Sequence, residues 1–181
     1  MGRTKILLAL DGPPATADAV KWVAGMTEKG EVDRVVLGCV LPPIPPRLLE
    51  HGGGDTPEEE RDKQGDLDDE RAEWIHREQQ SARALIRPVR DALCRAGLPD
   101  QAISVEFITV VHDSDVAQSL IEMARDRGCE LIAVSREAFA WYRERHASSV
   151  AELLQRDVPE DMAVVVRSKD DEGNAALGTG T

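Results

Sequence analysis

The sequence predicts an open, doubly wound α/β domain with a parallel five-stranded sheet. Two observations predict it. Five short apolar runs recur along the chain, at 6–10, 35–41, 103–111, 131–134 and 162–166. Each is too short for a helix, and most are rich in β-branched residues. Amphipathic helical patterns separate them, and strands alternating with helices fold into a parallel sheet covered on both faces. Four of the runs are nearly continuous in hydrophobicity rather than alternating, as strands buried on both sides are.

The elements follow in order. Ile6–Leu10 forms the first strand and ends in Asp11-Gly12. Thr16 to Met26 reads as a helix with Ala19, Val20, Val23 and Met26 on one face and Thr16 or Asp18 as its cap. Val35–Leu41 is the second strand. The section 42–74 then breaks the pattern: Pro42-Pro43-Ile44-Pro45-Pro46 is stiff, and Gly52-Gly53-Gly54 is flexible. Residues 55–73 hold ten acidic side chains against three basic ones. This reads as a solvated, partly disordered excursion. It leads into a helix of about 25 residues that ends at Gly97, with Pro88 as an internal kink. Ile103–Val111 is the third strand. Ser114 to Arg127 is a helix carrying Val116, Ala117, Leu120, Ile121 and Ala124, capped by Asp113 or Ser114 and stopped by Gly128. Leu131–Val134 is the fourth strand, Ser148 or Ser149 caps a last helix from Val150, and Met162–Val166 is the fifth strand.

Composition narrows the function. A chain of 181 residues with 41% hydrophobic content supports one domain, here 1–167, followed by a polar tail, 168–181, expected to be disordered. The net charge of −12 argues against a nucleic-acid partner, which needs a basic face. Cys39, Cys94 and Cys129 are scattered, with no Cys-x-x-Cys pair, and read as free thiols in a reducing compartment. No apolar stretch approaches 18 residues and no leader pattern opens the sequence, so the expectation is a cytoplasmic protein without a membrane contact. Hydrolase elbows, Walker loops and zinc-protease motifs are missing from the sequence, and the expectation is no catalytic turnover. The acidic run lacks the glycine and glutamate spacing of a calcium loop, and His112 with His146 has no supporting carboxylate.

Ligands of open α/β sheets bind outside the carboxyl ends of the strands. Two segments fall there. Asp11 at the end of the first strand reads either as a ligand contact or as a turn cap, and Gly12 permits the sharp turn and a close approach. The connection 135–149 contains no glycine and carries Phe139, Trp141 and Tyr142. Phosphate-cradling loops need glycine so that backbone N–H groups can reach the anion.

Lys5-Ile6-Leu7-Leu8-Ala9-Leu10-Asp11-Gly12, Ser114-Asp115-Val116-Ala117, Glu130-Leu131-Ile132-Ala133-Val134 and Ser149-Val150-Ala151-Glu152 with Ala163-Val164-Val165-Val166 stand in one order and spacing. Together they resemble the universal stress proteins over most of the chain outside the excursion. The resemblance implies an adenine-nucleotide α-hydrolase-like fold with strand order 3-2-1-4-5. It also implies a phosphate loop of the form G-x2-G-x9-G-[S/T]. Here that spacing is kept while Ser135, Ala138 and Ser148 replace all three glycines, and Ser149 alone matches. An adenine contact falls on Val40 and a carboxylate beside the phosphates on Asp11. The nucleotide set the resemblance implies is therefore Asp11, Gly12, Val40, Ser135, Ala138, Ser148 and Ser149. Side chains added at the glycine positions would crowd phosphates, and any of them needing positive φ would be strained. Arg136, Arg143, Arg145 and His146 offer side-chain charge in place of backbone N–H groups, or are ordinary solvated charges.

Two functions follow. One is a stress-response regulatory or interaction protein, acting on a protein partner, whose phosphate loop has degraded. The other is an adenine-nucleotide module that uses Asp11, Val40 and Ser149. No cofactor is demanded by the residues alone; the resemblance admits ATP or AMP with magnesium. It further implies a homodimer through the edge strand Met162–Val166.

Overall fold

The computed structural model describes residues 4–12, 16–50, 53–112 and 115–171. The proposed caps Asp113 and Ser114, Gly52 and the tail from 172 lie outside the described residues. A five-stranded parallel sheet has the order β3-β2-β1-β4-β5, with β1 at Thr4–Leu10, β2 at Val32–Val40, β3 at Ile103–Ile108, β4 at Leu131–Ser135 and β5 at Ala163–Arg167. Helices α1 (Ala17–Glu28), α2 (Pro57–Arg95), α3 (Val116–Asp126), α4 (Ala140–Arg143) and α5 (Val150–Asp157) complete the chain.

The strands alternate between two cores. Leu7, Ala9, Val36, Ile132 and Val134 face a cluster built with α3 and α5. Ile6, Leu8, Val35, Leu37 and Ala133 face a second cluster built with α1 and α2. Both faces are apolar because both are covered, which is why the runs read as continuous.

The largest departure from expectation is α2. It has 39 residues and begins at Pro57, so the acid-rich stretch is part of the helix rather than a partly disordered excursion leading into it. Local rules explain this. The Thr56 hydroxyl accepts from Glu59 N, Pro57 occupies the first turn, and Glu58, Glu59 and Glu60 complement the positive end of the helix. A packed stripe then runs through Leu67, Arg71, Trp74, Ile75 and Glu78, all half-buried. The Arg71 guanidinium donates from Nε and Nη2 to the Leu48 carbonyl at 2.9 and 2.7 Å, and from Nη1 to Asp68 at 3.1 Å. Leu48 belongs to a short 3-10 turn, Pro46–Leu48, at the end of the proline-rich strap. Strap and helix thus hold each other. Pro88 lies within the unbroken helix.

The tail also begins with structure. Ser168 is buried; its N–H donates to Asp171 Oδ2, and its carbonyl accepts from Asp171 N.

Candidate ligand cleft

A cleft of about 420 Å³ opens beyond the carboxyl ends of β1 and β2. Its floor is Asp11, Cys39, Val40 and Leu41; Pro42 and Pro43 of the strap form one side, and Glu78, Ser81, Ala82 and Leu85 of α2 another. Trp141 and Arg145 close it from the connection after β4.

Asp11 is the pivot. Its Oδ2 accepts the Phe139 backbone N–H at 2.6 Å, and its Oδ1 accepts the Trp141 indole N–H at 3.0 Å. Both carboxylate oxygens are therefore engaged by the loop. Burial raises the Asp11 pKa above the usual carboxylate value, and the bonds from Trp141 and Phe139 oppose that rise. The Cys39 thiol is pushed up to about 11 by burial and by the Asp11 charge, so it is a protonated wall of the cleft rather than a nucleophile.

The loop is rooted in the core. Phe139 is fully buried and Tyr142 nearly so, within the cluster of α3 and α5. Tyr142 stacks on His146 at 4.1 Å between ring centroids. Phe139 adopts a left-handed conformation, φ 62° and ψ 42°. It is the non-glycine residue with positive φ among the described residues. Strain was expected at any replaced glycine that needs positive φ; positive φ falls instead on the residue after the second of them. Burial of an aromatic ring and the bond to Asp11 hold it there.

The other candidate positions serve the fold. The Ser135 hydroxyl, at 0% exposure, accepts from Ala19 N at 3.0 Å and so caps α1 from another strand. Ala138 is buried and donates to the Ser135 carbonyl, closing a tight turn. Ser149 caps α5 reciprocally: its Oγ accepts from Glu152 N at 3.1 Å, and Glu152 Oε2 accepts from Ser149 N at 2.7 Å. Those bonds lower the Glu152 pKa. Ser148 is half-buried just before this cap. Gly12 has φ 128°, a conformation open to glycine, and its carbonyl accepts from the Thr16 hydroxyl at 2.9 Å. Asp11 and Val40 thus share the cleft, while Ser135, Ala138, Ser148 and Ser149 are not among its lining residues. The α2 wall escaped the sequence reading. Its signal was the strap that follows β2 directly, with α2 packed on it.

Among the described residues no group of three or more His, Cys, Asp or Glu side chains converges as a metal site. Nor is any described helix long and apolar enough to cross a membrane.

An open parallel sheet with its crevice at the ends of β1 and β2, bordered by the β4–α5 connection, defines a small α/β protein of the doubly wound class. The chain belongs to the universal stress protein family, whose model matches residues 2–166. Solved structures share the fold. Universal stress protein UspA from Lactobacillus plantarum is 16% identical, with 93% of this chain and 100% of that chain covered and a TM-score of 0.63. A universal stress protein in complex with cAMP is 15% identical over 93% and 99% of the two chains, TM-score 0.57. The universal stress protein from Archaeoglobus fulgidus in complex with dAMP is 14% identical over 93% and 100%, TM-score 0.50. Among curated proteins no sequence matches the chain.

Proposed function

We propose that this universal stress protein is a regulatory or interaction protein without catalytic turnover, and that its phosphate loop no longer holds ATP strongly. One observation carries the reading: both oxygens of Asp11 are taken by the loop, through Phe139 N and Trp141 Nε1. Each oxygen keeps a second lone pair, but the two bonds fix the carboxylate as the anchor of the loop rather than presenting it to a magnesium ion beside a phosphate chain. The serines at the positions of the loop pattern support it too, since the Ser135 and Ser149 hydroxyls cap helices.

A second reading keeps an adenine nucleotide in the cleft. It is favoured by the open space between Val40 and α2 and by the cAMP and dAMP found with the two relatives. Titration calorimetry with ATP and AMP, with and without Mg²⁺, decides between them. The degraded-loop reading expects dissociation constants weaker than about 100 μM, or about −5.5 kcal/mol. Tighter, saturable binding that Asp11→Ala abolishes would establish the second reading instead. We further propose that β5 pairs two copies through its open edge.

A further inference from the structure

The charges along α2 are sorted, not mixed. Residues 57–73 hold nine acidic and three basic side chains, and residues 74–95 hold two acidic and five basic. One stripe carries the contrast. Asp62, Asp66 and Asp69 repeat at spacings of four and three, and so do Arg83, Arg87 and Arg90. The 14 residues from Asp69 to Arg83 are two heptads, so both sets lie along the same side of the helix. The three aspartates, Arg83 and Arg87 are exposed.

Two cis explanations fall short. The helix dipole favours acids only in the first turn and bases only in the last, which accounts for Glu58–Glu60 but not for Asp69 or Arg83. Pairing along one helix needs opposite charges at i, i+3 or i, i+4; Lys63 with Asp66 and Arg87 with Asp91 have that spacing but form no ion pair among the described residues, and Asp62 with Asp66 and Arg83 with Arg87 place like charges there and repel. The three aspartates and Arg87 make no ion pair among the described residues. Arg83 lies over the Phe107 ring at 5.9 Å, and Arg90 is held by Asp100. The arginine side borders a groove of about 420 Å³ against the open edge strand β3, floored by Val105 and Phe107.

The stripe is complementary to itself when reversed. Asp69 and Arg83 stand seven residues either side of His76; Asp66 and Arg87 stand ten and eleven away; Asp62 and Arg90 stand fourteen away. We propose that α2 pairs with α2 of a second copy, antiparallel about a two-fold axis near His76, with Asp66 and Asp69 of each copy against Arg87 and Arg83 of the other. The overlap from 62 to 90 spans about 43 Å of helix. The contact is isologous, so it joins two copies and each pair forms twice; in a chain also paired through β5 it joins one such pair to another. Arg90 stays with Asp100 and contributes little.

Sedimentation velocity on the full chain tests this. Association at roughly 50 mM NaCl should weaken at least about tenfold at roughly 500 mM, because exposed pairs are screened. Arg83→Glu/Arg87→Glu and, separately, Asp66→Arg/Asp69→Arg should each lose the salt-sensitive association while keeping the far-ultraviolet circular dichroism of the parent. Mixing the two variants should restore it as a heterodimer, because each then presents the charges the other lacks. His76→Cys in a Cys94→Ser background should form an intermolecular disulfide at low salt, and Glu60→Cys should not. No salt-sensitive association in the parent, undiminished association in either variant, or no recovery on mixing would overturn the proposal.

Discussion

Asp11 acts as a structural carboxylate placed where a ligand contact is expected. Its worth lies in the groups it satisfies: the N–H of fully buried Phe139 and the indole of Trp141. Asp11→Ala orphans both donors, and an unpaired buried donor costs about 1–3 kcal/mol. Urea unfolding at neutral pH should show a loss of that size. The pH dependence has a definite sign. Burial raises the folded pKa of Asp11 above its ordinary value of 3.8, so the folded state takes up this proton before the unfolded state does. Asp11 therefore adds stability as pH falls toward 3.8, and that increment is lost as pH rises through the folded pKa. The deficit of Asp11→Ala against the parent should widen on acidification toward 3.8; a deficit that narrows would contradict the assigned direction. The sequence left Asp11 open between ligand contact and turn cap, because a carboxylate at a strand end serves either use. Its partners were unreadable, since they lie 128 and 130 positions away in a loop whose fold depends on burying Phe139.

At the scale of elements, legibility followed burial. Four strands were visible because covered strands have little choice but continuous apolar runs, the third, at the sheet edge, because it alternates, and the α5 cap because a capping box is a local pattern. The first turns of α2 were not. Their composition matches that of solvated chain; the local cap at Thr56, Pro57 and Glu58–Glu60 starts the helix, and a tertiary grip that no local pattern shows, Arg71 on the Leu48 carbonyl, holds it against the strap. Charged hydrogen bonds are worth about 1.5–3 kcal/mol, so Arg71→Ala should loosen the strap locally. Hydrogen exchange checks it at the Leu48 and Leu49 amides, which close the 3-10 turn on Pro45 and Pro46. They should exchange about ten- to hundredfold faster, since about 1.4 kcal/mol is tenfold. Core strand amides should be unaffected. Unchanged exchange at both amides would mean that the prolines alone fix the strap. The strap matters beyond its own stability because Pro42 and Pro43 form one side of the cleft.

For the whole molecule, the proposed contacts between copies would use an open sheet edge and the exposed side of α2. An open parallel sheet leaves β3 and β5 unpaired on their outer sides. Edges are guarded by charge, by proline or by a covering element. β3 carries Glu106 and is flanked by the arginines of α2. β5 reads Ala163-Val164-Val165-Val166-Arg167, with no charge before its last residue. Val164 and Val166 pack into the core of α3 and α5, whereas Val165 is half-buried and belongs to neither core cluster. Contact through β5 would rest on backbone pairing and valine packing, neither of which salt screens. Contact through α2 would rest on exposed charge. The two are therefore separable in one experiment. Light scattering on Val165→Glu should show loss of the salt-insensitive dimer, because a two-fold axis brings two new carboxylates together across the edge and like charges opposed there repel. The salt-sensitive association should survive in this variant, leaving a dimer at low salt and a monomer at high salt. A salt-insensitive dimer that persists in Val165→Glu would place the contact on another face.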